Sequence, residues 1–109
     1  MKLDKAGAIT IFGIIKTISE LQLPIEVHAI LGFSENMISN NAYKPGDVIK
    51  TRNSKTIEIM NTDAEGRILL ADLFEYAQDK IKDIDYIFDY ATLTGSVISA
   101  IGQYSAGII

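Results

Sequence analysis

The spacing of apolar residues divides the first part of the chain into a helical and an extended segment. Between residues 6 and 21, apolar side chains recur at positions 11, 14, 15, 18 and 21, which is the period of an amphipathic helix. Pro24 ends this pattern. Residues 25–33 then become apolar on both faces, as strands of a parallel sheet do. We therefore predict a helix followed by a buried strand.

Helical and extended patterns also follow one another through the rest of the chain. Residues 48–52 and 56–60 predict two short strands joined by a turn of hairpin length at 53–55. A helical stripe of apolar residues follows over residues 70–81, then a strand over 84–90 and a short helix over 96–101. This order predicts an α/β fold with a mixed β-sheet flanked by helices. We assign residues 1–109 to a single domain, because no linker divides them.

Composition narrows the range of partners and compartments. The chain carries a net charge of −4, with no run of lysine or arginine, so nucleic acid is not an expected partner. Its longest apolar stretch, residues 6–15, is shorter than the ~20 residues that cross a bilayer. The N-terminus does not have the pattern of a secretory signal, and cysteine is absent. We expect a cytoplasmic protein that does not bind membranes.

The chemistry is concentrated in residues 61–67, which read NTDAEGR. Asp63 and Glu65 follow a predicted strand and precede a predicted helix, and in extended backbone residues i and i+2 project to one side. Two converging carboxylates suit a divalent cation such as Mg²⁺, Mn²⁺ or Zn²⁺. We expect Gly66 to give the backbone room to turn and Arg67 to bind an anion or a developing negative charge. The alternative is that the acids only cap the following helix.

Residues 61–72, NTDAEGRILLAD, resemble the signature of the leucyl (cytosol) aminopeptidase family of metallopeptidases. Three further segments resemble family motifs in the expected order, namely residues 1–8 (MKLDKAGA), 41–47 (NAYKPGD) and 91–95 (ATLTG). The resemblance covers nearly the whole chain. It implies that the chain is part of the C-terminal catalytic domain of such an enzyme, with a zinc-peptidase-like α/β fold.

The resemblance also implies functions for individual residues. It makes Asp4 a metal ligand together with Asp63 and Glu65, in a site for two divalent ions, Mn²⁺ or Zn²⁺ with Mg²⁺ as a further candidate, that activate a bridging water. It assigns Arg67 to the binding of a bicarbonate that relays a proton. It assigns substrate contacts to Thr92, Leu93 and Gly95. The NAYKPGD segment is expected to be structural.

The implied reaction is removal of the N-terminal residue of peptides, leucine being favoured, in a family that assembles into hexamers. Lys5 and Ala6 replace a methionine and a glycine of the family pattern, and a lysine beside Asp4 could compete with metal for its carboxylate. The family's remaining metal ligands and its catalytic lysine would precede Met1, so we expect the isolated chain to be inactive. A misassigned start, a truncated gene and one piece of a split enzyme all remain open as its origin.

Two other interpretations of the sequence stay open. The chain could be an inactive remnant or interaction module that associates with aminopeptidase subunits. It could instead be a Mg²⁺-dependent phosphate-binding domain, although no glycine-rich phosphate loop is present in the sequence. His28, the one histidine, alternates with apolar neighbours on a predicted strand, so we interpret it as a packing or polar-face residue.

Overall fold

The computed structural model describes residues 4–109. Its elements are α1 (Ala6–Glu20), β1 (Val48–Lys50), β2 (Thr56–Glu58), a 3₁₀ turn (Thr62–Ala64), α2 (Glu65–Lys80) and α3 (Ser96–Ile101). The predicted helices and the predicted hairpin are therefore confirmed, each to within a few residues at its ends. In this described part of the chain, no helix combines the length and the apolar character needed to cross a membrane.

The two strands form an antiparallel hairpin in which Ile49 lies opposite Ile57. The turn between the strands is fixed by Thr51, whose backbone N–H donates to the carbonyl of Lys55 at 2.8 Å. Backbone pairing continues beyond the strands, because the N–H of Ile59 donates to the carbonyl of Asp47 at 2.8 Å. This extra pair places Ile59 under the hairpin, where its side chain is 2% exposed.

Polar side chains hold the hairpin turn against α2. The backbone N–H of Arg52 donates to the Asp72 carboxylate at 2.9 Å, and its guanidinium donates to Asp79 at 2.9 Å. The same guanidinium lies 5.3 Å from the centre of the Tyr76 ring. Asn53 donates to Glu75, which lies one turn before Asp79 on α2. These side-chain contacts therefore join the hairpin turn to α2.

The predicted mixed sheet is the main point on which the structure differs from the sequence analysis. Within residues 4–109 the sheet has two strands, β1 and β2. Residues 25–33 and 84–90, hereafter the unpaired segments, contain no ladder hydrogen bonds with any described residue. An apolar pattern predicts a strand but does not supply a neighbour ~4.8 Å away, and a strand without a neighbour has no ladder.

Helices α1 and α2 nevertheless each lie against one of the unpaired segments, as the layered α/β prediction requires. Leu69 and Leu73 of α2 occupy the space where a side chain at Gly32 would be. At the start of α1, Gly7 lies against the backbone carbonyl of Tyr90, and any side chain at that position would collide with it. The helix–strand layering is therefore present, although the strands are not joined.

The result is an open structure around a large cavity. Its accessible surface is 9209 Å², whereas a compact monomer of this mass exposes about 6,000 Å². Its radius of gyration is 16.0 Å, against about 13 Å for a compact domain of this length. A cavity of about 1860 Å³ is lined by α1, α2 and the unpaired segments.

Candidate functional site

The two carboxylates predicted to bind metal lie at the start of α2. The side chain of Asn61 accepts a hydrogen bond from the backbone N–H of Asp63 at 3.0 Å and so caps the 3₁₀ turn. Asp63 has φ −84° and ψ 23°, which is not extended backbone. The expectation that Asp63 and Glu65 converge by strand geometry was therefore wrong. Because Asn61 supplies the cap, neither carboxylate is used for that purpose.

A residue from a distant segment contacts both carboxylates. The side-chain amide nitrogen of Asn36 lies 3.3 Å from Asp63 Oδ1 and 3.0 Å from Glu65 Oε2. The two oxygens are therefore within two hydrogen-bond lengths of each other. Asp63 and Glu65 therefore lie near each other as predicted, and a hydrogen-bond donor from outside this loop bridges them.

Tyr43 supports the same loop from the NAYKPGD segment. Its hydroxyl donates to the backbone carbonyl of Thr62 at 3.2 Å. Burial and, secondarily, the charge of Glu65 raise the pKa of the Tyr43 phenol above its ordinary value. Asp47 closes the turn of the same segment by accepting from the backbone N–H of Lys44 at 2.7 Å. These contacts agree with the structural function expected for this motif.

Gly66 allows the ATLTG segment to approach the carboxylates. Gly66 lies in the first turn of α2, and a Cβ atom there would lie 3.0 Å from Leu93 Cδ1. Gly66 therefore lies in close contact with Leu93, and it is part of a helix, not of the turn predicted for it. The predicted substrate-contacting segment thus lies beside Glu65.

The side chain of Arg67 is exposed to solvent. It forms no salt bridge with the residues that the structure describes. Asp72, a possible acidic partner one turn along the helix, accepts a hydrogen bond from Arg52. The Arg67 guanidinium is therefore available to an anion.

All of the predicted site residues line the large cavity. These residues are Asp4, Asp63, Glu65, Arg67, Thr92, Leu93 and Gly95. Within residues 4–109, however, no three Asp, Glu, His or Cys side chains approach one another closely enough to hold a metal ion. Asn36 contacts both Asp63 and Glu65, whereas Asp4 is known only to line the same cavity. The three-carboxylate ligand set therefore stays a prediction.

Comparison with known proteins shows the family to which the chain belongs. A model of the catalytic domain of the cytosol aminopeptidase family matches residues 1–109. The chain belongs to this family. Probable cytosol aminopeptidases of Helicobacter hepaticus and Aquifex aeolicus are both 52% identical to it, over 109 and 108 residues. The chain spans only 23% and 22% of the length of those two proteins.

A solved aminopeptidase structure has a similar fold. A mutant of tomato leucine aminopeptidase superimposes with a TM-score of 0.79 and 44% sequence identity. The match covers 88% of this chain and 19% of the tomato protein. The resemblance stated from four short motifs is therefore confirmed at the level of the family.

Two residues of the candidate aminopeptidase site were not found by sequence reasoning. Asn36 belongs to none of the motifs described above, and Tyr43 belongs only to the NAYKPGD segment, for which a structural function is expected. Asn36 lies 27 residues before Asp63 in the chain. No helical or strand period connects positions that far apart, so only the folded arrangement could identify the contact.

His28 agrees with the interpretation given to it from the sequence. Its Nε2 lies 2.9 Å from the Glu26 carboxylate two residues earlier, and both side chains are partly exposed. This local pair accounts for its polar contact without involving Asp63 or Glu65.

Proposed function

We propose that this chain forms part of the catalytic site of a metal-dependent aminopeptidase that removes N-terminal residues from peptides, leucine being favoured. The observation that supports this proposal most strongly is the pairing of Asp63 and Glu65 on the cavity wall. Membership of the cytosol aminopeptidase family makes peptides the expected substrate class. On this proposal the chain belongs to the C-terminal catalytic domain and acts in the cytoplasm.

The carboxylates fit a divalent cation. Asp63 and Glu65 each use one oxygen to accept from Asn36, and each retains a second oxygen without a hydrogen bond from any described residue. Hard oxygen donors of this kind suit Mn²⁺, Zn²⁺ or Mg²⁺. When bound, a pair of such ions supplies a Lewis acid and an activated water. Asp4, on the same cavity, is the proposed third ligand.

Arg67 is proposed to stabilise negative charge during hydrolysis. It lies two residues after Glu65, lines the cavity and has no acidic partner among the described residues. A planar guanidinium can bind bicarbonate or another oxyanion through two parallel hydrogen bonds. Arg67 would therefore hold the anion that moves the proton of the attacking water.

Thr92, Leu93 and Gly95 are proposed to contact the peptide substrate. Leu93 packs against Gly66 at the start of α2, so this segment lies beside the metal-binding carboxylates. The cavity that all three residues line is large enough for an amino-acid side chain. This arrangement would place the N-terminal residue of a peptide between segment 91–95 and the carboxylates.

We further propose that the 109-residue chain does not hydrolyse peptides by itself. The carboxylates of Asp63 and Glu65 provide fewer oxygen donors than the roughly six that such cations prefer. The remaining donors, and assembly into a homo-oligomer, would come from the rest of a longer enzyme. An inactive module that associates with aminopeptidase subunits is the alternative, and it keeps the same contacts without turnover.

A chimeric enzyme tests the proposal. The chain would replace the corresponding segment of the Helicobacter hepaticus protein, which is 52% identical to it, and release of leucine from leucine amide would be measured with Mn²⁺. We expect activity in the chimera and more than a ~100-fold loss in Glu65→Ala. Glu58→Ala is the matched control, because Glu58 is exposed on β2. A folded but inactive chimera would favour the alternative, whereas turnover by the chain alone would contradict its proposed inactivity.

The same chimera tests Arg67. Removing a group that stabilises transition-state charge typically lowers kcat by ~10²–10³, so we expect this loss in Arg67→Ala with little change in the thermal midpoint. Lys16→Ala provides the control, since Lys16 is an exposed cation on α1 that pairs with Glu20 and does not line the cavity. An unchanged kcat, or a loss of stability that accounts for the lost activity, would contradict the catalytic assignment.

A further inference from the structure

Asn36 makes a contact that neither the family motifs nor the proposed mechanism assigns. Its Nδ2 donates to Asp63 Oδ1 at 3.3 Å and to Glu65 Oε2 at 3.0 Å. The donor comes from the segment between the first unpaired segment and the hairpin, 27 and 29 residues away along the chain. One side chain therefore connects the two carboxylates that the proposed function makes metal ligands.

The chemistry of the amide explains why asparagine suits this position. A primary amide has two N–H groups, so it can donate one hydrogen bond to each carboxylate at the same time. Two ionised carboxylates at close range repel each other, and a neutral donor shared between them offsets that repulsion without adding charge. An ionised carboxylate only accepts hydrogen bonds, so the amide nitrogen of Asn36, and not its oxygen, is directed at Asp63 and Glu65.

The location of Asn36 separates it from groups that could touch a substrate. Asp63 and Glu65 line the large cavity, whereas Asn36 does not. It contacts Asp63 Oδ1 and Glu65 Oε2 from the solvent-exposed segment before the hairpin, and leaves Asp63 Oδ2 and Glu65 Oε1 without a hydrogen bond from residues 4–109. This is the arrangement of a residue that orients metal ligands.

We propose that Asn36 is a positioning residue that fixes the Asp63 and Glu65 carboxylates for a divalent cation. The inference rests on the proposed function, since it assumes that these carboxylates bind metal. Loss of a residue that orients metal ligands typically weakens metal binding by ~10–100-fold. Asn36 should therefore affect metal affinity without contacting either the metal or the peptide.

Mn²⁺ titration of the 109-residue chain tests the proposal directly. Asn36→Ala removes the amide, and Asn36→Leu removes both donors while keeping a similar volume, so equal effects would identify the donors as the cause. We expect both variants to bind Mn²⁺ ~10–100-fold more weakly than the unaltered chain. Asn40→Ala is the matched control, because no hydrogen bond of its side chain occurs among the described residues.

Nuclear magnetic resonance of the ¹⁵N-labelled chain tests the contact without metal. We expect the side-chain amide resonances of Asn36 to shift in both Asp63→Ala and Glu65→Ala, and those of Asn40 to stay unchanged. Asn36 resonances that do not respond to either substitution would overturn the bridge. This measurement does not depend on a cooperative unfolding transition or on catalytic activity.

The outcomes separate this inference from the proposed function. If the chain binds Mn²⁺ and the Asn36 variants bind it equally well, the positioning assignment is wrong while the metal-dependent function stands. If the Asn36 resonances shift but the unaltered chain binds no Mn²⁺ and the chimera is inactive, the metal-dependent function and the positioning assignment both fail. Weaker binding in both Asn36 variants, with the control unchanged, supports both.

Discussion

The region of the hairpin and α2, hereafter the packed region, contains the buried apolar residues of the described chain, whereas α1 and the unpaired segments are open. In the packed region, Ile59 and Ala77 are buried, and Arg52 and Asn53 connect the hairpin turn to three successive turns of α2. In the open region, α1 has no buried residue. Large apolar side chains there are exposed, including Phe33 at 54% and Phe88 at 73%.

The difference follows from where each element finds its hydrogen-bond partners. A hairpin and a helix satisfy their backbone groups within a short stretch of chain, so β1, β2 and α2 form from nearby residues. A strand of a parallel sheet needs a neighbour that is distant in sequence. Residues 25–33 and 84–90 have the apolar pattern of such strands, yet no described residue pairs with either of them.

The largest expected effect concerns the packed region. Ile59 is 2% exposed, and deleting most of a buried isoleucine side chain typically costs 2–5 kcal/mol, so Ile59→Ala should lower the free energy of unfolding by about that amount. Ile38→Ala is the control, because Ile38 is fully exposed and its loss should change stability by less than ~0.5 kcal/mol. Denaturant unfolding measures both. Equal effects would show that the packed region is not the source of stability.

Hydrogen exchange would compare the two regions directly. The Ile59 N–H donates to the Asp47 carbonyl, whereas the Ile87 N–H donates to no described backbone carbonyl. Local opening free energies range from about zero to the global value, and each 1.4 kcal/mol slows exchange about tenfold. We expect at least a ~10-fold greater protection factor at Ile59 than at Ile87. Similar protection at both positions would mean that the segment at 84–90 is paired in solution.

The smallest expected effect concerns Tyr43, which joins the NAYKPGD segment to the carboxylate loop. Its hydroxyl donates to the Thr62 carbonyl, and a hydrogen bond of this kind contributes about 0.5–1.5 kcal/mol. Tyr43→Phe should therefore lower the free energy of unfolding by that amount at neutral pH. Tyr104→Phe, at a residue that is 94% exposed, should not.

The effect of Tyr43 should also depend on pH. Burial and then Glu65 raise the pKa of its phenol, so the folded chain holds this proton more tightly than the unfolded chain does. The stabilisation is fully present below the unfolded tyrosine pKa of about 10 and is lost as pH rises through the higher folded value. The difference between the unaltered chain and Tyr43→Phe should therefore shrink above pH ~10. A difference that grows there would contradict the assigned direction.

The sequence by itself determined the local elements and the family. Helical period and turn residues were enough for α1, the hairpin, α2 and α3, because each depends on residues close together in the chain. The NTDAEGR and ATLTG motifs predicted Asp63, Glu65, Arg67 and Leu93 as site residues, and the family match over residues 1–109 supports the resemblance on which that prediction rests. Short motifs identify side chains well, since their residue types are visible in the chain itself.

Only the tertiary structure decided which groups meet and which strands pair. Asn36 bridges Asp63 and Glu65, and Leu93 lies close against Gly66. The predicted mixed sheet did not form among residues 4–109, because an apolar pattern specifies a tendency to pair but not a partner. These contacts join residues tens of positions apart, and no local period encodes such a distance.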